Sequence, residues 1–181
     1  PVSAHSKVDE RTGEFLFFAY GKEAPYMHYG VMDRFGALKT FMPVQLPGPR
    51  LPHDMAYTRN YAILNDFPLF WDEKALKAGY HAVRYRPDMP SRFAVIPRYG
   101  TTEDIRWFEA ASTYVLHFLN AWEDGDEIVM DGYFQDNPVP QTSPDAWPGH
   151  ERIMTFLDQN MLQPKLHRWR FNLKTGATTE K

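Results

Sequence analysis

The segment Leu46–Asp66, LPGPRLPHDMAYTRNYAILND, places a histidine after three prolines and just before two strand-like runs, Met55-Ala56-Tyr57-Thr58 and Tyr61-Ala62-Ile63-Leu64. Pro47, Pro49 and Pro52 each lock φ, so the backbone that delivers His53 to the lip of the first run is stiff. A ligand or catalytic residue needs such a fixed position. A loop histidine that simply precedes a strand fits the same words, and the residues alone leave both readings open.

Working outward, the periodic signal is mostly strand. Runs at 14–20 (EFLFFAY), 26–32, 38–46, 81–86, 92–98, 105–109, 114–122 and 127–135 are short and rich in aromatic and β-branched residues, and Gly, Pro, Asn or Asp bounds each of them. Helical periodicity is confined to 71–78 and 150–162, both read as insertions between strands. DERTGE at 9–14, DRFG at 33–36 and NLKTG at 172–176 put Asp or Asn a few residues before a Gly, the pattern of a tight hairpin whose glycine takes positive φ. Many short antiparallel strands joined by such hairpins predict an all-β sandwich, barrel or propeller, and the pattern does not choose among them.

Bulk composition narrows the chemistry. The 181 residues suffice for one domain with its own core, and 43% apolar and 15% aromatic content fits a globular chain. A formal net charge of −3 with interspersed signs gives no basic face for nucleic acid, so no nucleic-acid partner is expected. No apolar run approaches the roughly 18 residues of a membrane span. The absence of cysteine removes disulfides, thiolate catalysis and Cys-based zinc sites, which leaves His, Asp and Glu as the only candidate metal ligands. The chain opens on Pro-Val-Ser-Ala-His without an initiator Met or signal peptide, and is expected to be an internal piece of something longer.

Seven histidines are present, none at i, i+4 spacing and none within HExxH, so spacing alone gives a weak metal signal. His28, His81, His150 and His167 read as surface or strand-face residues. His5 immediately precedes a turn and a strand, His53 follows the prolines, and His117 is expected inside a hydrophobic strand between Leu116 and Phe118. A buried neutral imidazole must satisfy one donor and one acceptor nitrogen. Either a backbone group or a metal could satisfy His117.

SAHSKVDERTGEFLFFAYG, PHDMAYTRNYAILND, RFAVIPRYG, YVLHFLNAWEDGDEIVMDGYFQ and HRWRFNLKTG together resemble, in order and over nearly the whole chain, successive segments of the carotenoid cleavage oxygenases, the retinal-forming, apocarotenoid-cleaving and lignostilbene-cleaving enzymes. The resemblance implies a seven-bladed β-propeller with non-haem Fe(II) on its axis, of which residues 1–181 would be a single incomplete domain of about three blades. It implies that His5, His53 and His117 are three of four histidine ligands, the fourth lying beyond this chain. Glutamates that orient the ligand rings have no counterpart here. Glu123 lies an even number of strand positions from His117 and could share its face, although the EDGD around it reads more simply as a solvated turn. Asp54, next to His53 in an extended chain, should point away from the metal.

The implied reaction is addition of both atoms of O2 across a C=C bond of a carotenoid, apocarotenoid or stilbene, giving two carbonyl products. Four neutral imidazoles would hold Fe(II) with its full charge and leave two cis positions open. The implied partners are an apolar polyene or stilbene and O2. The expected location is cytoplasmic, without an evident membrane-dipping patch, and open blade edges would permit self-association. A different reading stays open beside this one: a non-catalytic propeller fragment or interaction module lacking a complete iron site.

Overall fold

The structure is a computed structural model that describes residues 2–79, 82–139 and 162–181. Among these residues the architecture is almost wholly antiparallel sheet. Blade I consists of β1 (Lys7–Asp9), β2 (Glu14–Tyr20), β3 (Tyr26–Met32) and β4 (Leu38–Gln45), paired in chain order. Blade II is built from β5 (Ala56–Tyr57), β6 (Tyr61–Asp66), β9 (Ser91–Pro97) and β10 (Arg106–Ala110), also neighbours in that order. A small hairpin of β7 (Leu69–Trp71) and β8 (Val83–Tyr85), with helix α1 (Glu73–Lys77) between them, is inserted in the connection from β6 to β9. Blade III contains β11 (Phe118–Asp124), β12 (Glu127–Phe134), β13 (Lys165–Asn172) and β14 (Thr178–Glu180).

Side-chain alternation explains why these sheets stack face to face. Strands of blade II are buried on both sides and read as continuous apolar runs: Ala62 and Leu64 join the core against blade I, while Ile63 joins the core against blade III. On β9 the same division puts Ala94 and Ile96 on one side, Phe93 and Val95 on the other. The flanking strands alternate instead. On β4 Met42 and Val44 face inward between exposed neighbours, and on β13 Trp169 and Phe171 face inward between Arg168 and Arg170. Three sheets stacked in this way, each twisted against the next, are blades of a propeller.

The three expected hairpin glycines all adopt positive φ, at Gly13 (72°), Gly36 (85°) and Gly176 (77°). Gly30 is required for a different reason. It pairs with Phe17 across the strand, and a Cβ there would sit 2.3 Å from the Phe17 ring. Gly30→Ala is therefore expected to cost about 1–3 kcal/mol by overpacking, read as a lowered denaturation midpoint at unchanged m-value.

The expected strands at 14–20 and 26–32 match β2 and β3 residue for residue, and the other runs match β4, β9, β10 and β12 within a residue or so at each end. Of the run at 81–86 the described part contains β8. The run at 55–58 shrinks to Ala56–Tyr57, because Thr58 is taken into the turn that leads to β6: its N–H donates to the Tyr61 carbonyl, and its hydroxyl accepts from the Tyr61 N–H. The expected strand at 114–122 begins only at Phe118, so His117 precedes the strand and is exposed, not buried inside it. Its start is irregular, with a register shift between Phe118 and Asn120. The helix expected at 71–78 is present as Glu73–Lys77, with the Asp72 side chain accepting from the Ala75 N–H at 3.0 Å as its N-cap. The helix expected at 150–162 lies outside the described residues, apart from Leu162, which is not helical.

Candidate metal centre

Each blade has one edge strand that follows immediately upon a histidine. His5 comes two residues before β1, His53 three before β5, and His117 directly before β11. These edge strands lie together: β5 packs against β11, and the Tyr57 hydroxyl of β5 donates to the Val8 carbonyl of β1. Histidines far apart in sequence thus meet at one end of a common axis.

Local structure fixes each imidazole. The segment carrying His5 is tied to β2 by the Ser3 N–H, which donates to the Phe18 carbonyl at 2.9 Å, and tightened by the Ser6 hydroxyl donating to the Ser3 carbonyl at 3.0 Å. His53 follows buried Pro52 and precedes buried Asp54, whose carbonyl accepts from Asn65 Nδ2 at 2.8 Å. The approach to His117 is anchored at Thr113, which donates its N–H to Ser91 Oγ at 2.9 Å and its hydroxyl to the Gln135 carbonyl at 3.1 Å. Val115, fully buried, sets the last contact with the core before His117 emerges.

The ring centroids are 4.4 Å apart for His5–His53, 4.8 Å for His5–His117 and 5.1 Å for His53–His117. One nitrogen from each ring can be chosen so that all three lie within 4.8 Å of one another, and among the described residues no carboxylate joins the group. Nitrogen donors at about 2.1 Å from one ion are roughly 3 Å apart when adjacent and roughly 4 Å apart when opposite, so the three imidazoles would draw closer together on taking up an ion. Burial lowers the His53 pKa, and the neighbouring His5 and His117 lower it further against a small opposing effect of Asp54. His53 is therefore held in the neutral form that binds metal. A cleft of about 400 Å³ opens at the cluster, lined by Val2, Ser3, Ala4, His5, Tyr20 and His53.

The other histidines fall elsewhere. His28 stacks on Phe41 with ring centroids 5.1 Å apart, and His167 packs on Trp169 and reaches Glu180 at 3.2 Å. His81 and His150 lie outside the described residues. Glu123 is neither beside the cluster nor in a solvated turn. It accepts from Thr58 Oγ1 at 2.6 Å and from the backbone N–H and Nδ2 of Asn60 at 2.8 Å each, pinning the β5–β6 turn to blade III. Asp54 does not join the cluster, and its carboxylate is taken up by Lys7 and the backbone N–H groups of Met55 and Phe118. The sequence reading missed Tyr20 in the cleft and Lys7 beside Asp54, because nothing local to either residue marks it.

Three blades that each bring one imidazole to a shared point are a β-propeller scaffold with a cluster of three histidines. The profile of the retinal pigment epithelial membrane protein family matches residues 1–181, and the chain belongs to this family, the carotenoid cleavage oxygenases. It is 35% identical over 181 residues to a carotenoid 9,10(9',10')-cleavage dioxygenase of Crocus sativus, covering 99% of this chain and 32% of the relative. To isoeugenol monooxygenase of Pseudomonas putida it is 33% identical over 177 residues, covering 96% of this chain and 36% of the relative. The crystal structure of Pseudomonas brassicacearum lignostilbene dioxygenase superposes with a TM-score of 0.79 at 27% identity, over 99% of this chain and 38% of that one. The chain thus spans about a third of the length of the curated relatives it matches, and its three sheets are three blades of the family's seven-bladed propeller. Among the described residues no helix is long and apolar enough to cross a membrane.

Proposed function

We propose that His5, His53 and His117 are three ligands of a non-haem Fe(II) centre, and that residues 1–181 are part of one propeller domain of an oxygenase that cleaves a C=C bond. The substrate class is a carotenoid, apocarotenoid or stilbene, the co-substrate is O2, and two carbonyl compounds are the products. The observation that carries this reading is the convergence of three imidazoles from three blades.

The donor set fits iron. All three donors are imidazole nitrogens, the chain has no thiolate to offer, and imidazole suits iron among the first-row metals. When bound, iron would supply a Lewis-acidic, redox-active centre at which O2 and the alkene are activated. The chain's own residues set the surroundings. Val2, Ala4 and the ring of Tyr20 give the cleft an apolar wall suited to a hydrocarbon substrate, and Leu116 and Leu119 stand exposed on either side of His117. Apolar walls shed water from around the reacting double bond. The remaining ligand would come from outside these residues.

The test is product analysis on the intact protein, loaded anaerobically with Fe(II) and then given O2 with a stilbene or a carotenoid. Paired carbonyl products in one of the two arms, with one O2 consumed per bond cleaved, are expected, and His117→Ala should abolish them. A protein that takes up stoichiometric iron yet cleaves neither substrate class would refute the catalytic reading, and the arm that reacts assigns the class.

A further inference from the structure

Asp54 makes a set of contacts that the ligand assignment does not use. Its side chain is 2% exposed, yet it is surrounded by donors that belong to all three histidine-bearing segments. Oδ1 lies 2.6 Å from Nζ of Lys7, two residues beyond His5. The same oxygen accepts from the Met55 N–H at 2.8 Å, two residues beyond His53. Oδ2 accepts from the Phe118 N–H at 3.0 Å, and Phe118 directly follows His117. From behind, Asn65 of β6 holds the Asp54 backbone carbonyl at 2.8 Å. One carboxylate therefore touches chain within two residues of each imidazole in the cluster, from three different blades.

We propose that Asp54 is the positioning residue of the metal centre, the common tie that holds the three histidine segments at the separation an ion needs. The proposal rests on the reading of those histidines as ligands and adds what spaces them. The choice of residue follows from the donors. Two backbone N–H groups and an ammonium all require acceptors, and an ionised carboxylate is the side chain that offers two oxygens and no donor. Its bond to Lys7 is charge-assisted, with the carboxylate buried and the ammonium partly exposed. Alternation along the extended chain then puts the tie on the opposite side of the backbone from His53, so that it braces the ligand without competing for the ion.

Asn is nearly isosteric but must turn its NH2 toward either the Phe118 N–H or the Lys7 ammonium, so Asp54→Asn breaks one tie while keeping the volume. Lys7→Met, at a partly exposed position, releases only the His5 segment. The experiment titrates Co(II) into the metal-free intact protein, wild type and each variant, following the visible d–d absorption that reports coordination geometry, with thermal unfolding of the metal-free forms alongside. Asp54→Asn is expected to weaken Co(II) binding about 10-fold or more, the scale on which residues supporting metal ligands act, and to change the absorption envelope. Lys7→Met should change both in the same direction by less. If the variants unfold at lower temperature but bind Co(II) with wild-type affinity and spectrum, Asp54 is a structural residue only and the proposal is overturned. Should Asp54→Asn not fold, Lys7→Met decides alone: a wild-type spectrum and affinity overturn it. His53→Ala is the control that separates the two readings, because Co(II) binding insensitive to that change removes the metal centre itself and the positioning role with it.

Discussion

His53→Ala is expected to lower metal affinity by about 100-fold or more, beyond the 10–100-fold typical of residues that merely support a ligand. His53 is half-buried, with its ring 4.4 Å from that of His5 and 5.1 Å from that of His117. Removing it leaves two donors on this chain, on blades I and III, with the blade between them contributing none. The pH profile should be distinctive as well. Burial and the two neighbouring imidazoles lower the His53 pKa, so His53 should keep its nitrogen free for the ion to lower pH than an ordinary histidine, and binding should fail as pH falls and the ligand imidazoles protonate. Metal content after anaerobic loading and desalting checks the first point, and a Co(II) titration against pH checks the second. His28→Ala is the comparison: that ring stacks on Phe41 away from the cluster, so its loss should leave affinity unchanged.

The largest effect on stability is expected at Arg98. Its guanidinium is 4% exposed and lies 2.8 Å from Asp9 Oδ2 and 2.9 Å from Glu14 Oε2, while Nη2 donates to the Thr58 carbonyl at 2.6 Å. Tyr99 adds a hydrogen bond to Glu14 Oε1 at 2.6 Å, and the Tyr29 hydroxyl donates to the Arg98 carbonyl at 3.0 Å. This knot joins β1 and β2 of blade I to the β5–β6 turn and β9 of blade II. Arg98→Met would leave buried Glu14 without its cation and buried Asp9 with only the exposed Arg11 at 3.3 Å, which costs about 3–5 kcal/mol, measurable by chemical denaturation at neutral pH.

Acid distinguishes this loss from a simple packing defect. Burial by itself would raise the pKa of Asp9 and of Glu14. At Asp9 hydrogen bonding and charge from Arg98, helped by the Arg11 N–H, outweigh it, and at Glu14 hydrogen bonds from Tyr99, Arg98 and Thr12 do so, so both carboxyls sit below their ordinary values of 3.8 and 4.5. Groups with depressed folded-state pKa contribute stability above the unfolded-state value and lose it as pH falls through the folded-state one. The wild type should therefore lose this contribution below about pH 4, whereas Arg98→Met, whose carboxyls can take up protons at higher pH, should lose less. The gap between the two proteins is expected to be widest at neutral pH and to close on acidification. A gap independent of pH would show that lost packing, not lost charge compensation, is the cause.

Much of this architecture is written locally. EFLFFAY and YMHYGVM carry the aromatic and β-branched content of strands, and the hairpin glycines mark where φ turns positive, so β2, β3 and their turns are readable from neighbouring residues alone. β13 is equally regular, with Trp169 and Phe171 alternating against Arg168 and Arg170, yet the expected strands do not include it, although its period of two marks it. His117 shows where local reading stops. Leu116 and Leu119 suggested the interior of a strand, yet they are 41% and 50% exposed, because an apolar residue looks the same in sequence whether it meets a packed core or an open axial cavity. The contacts of Asp54 with Lys7 and Phe118, and of Glu123 with Thr58 and Asn60, join segments on different blades. No spacing rule anticipates them, since their register is set by how the sheets stack. Local context sets His5, His53 and His117 apart from the other histidines, but only the family resemblance makes them candidate ligands of one metal.

Placing each histidine at the start of a separate edge strand has a thermodynamic consequence. An ion held there would also be a fastener, since every bond to it would be a bond between blades that share no strand pairing. Occupancy at 100 times the dissociation constant adds about 2.7 kcal/mol to the state in which the donors are assembled. A chelator should therefore lower the resistance of the sheet stack to coming apart, in proportion to how fully the site had been filled. Cohesion of the blades and readiness of the reaction centre would rise and fall together, so that a molecule that had lost its ion would also be the one most easily unfolded and cleared.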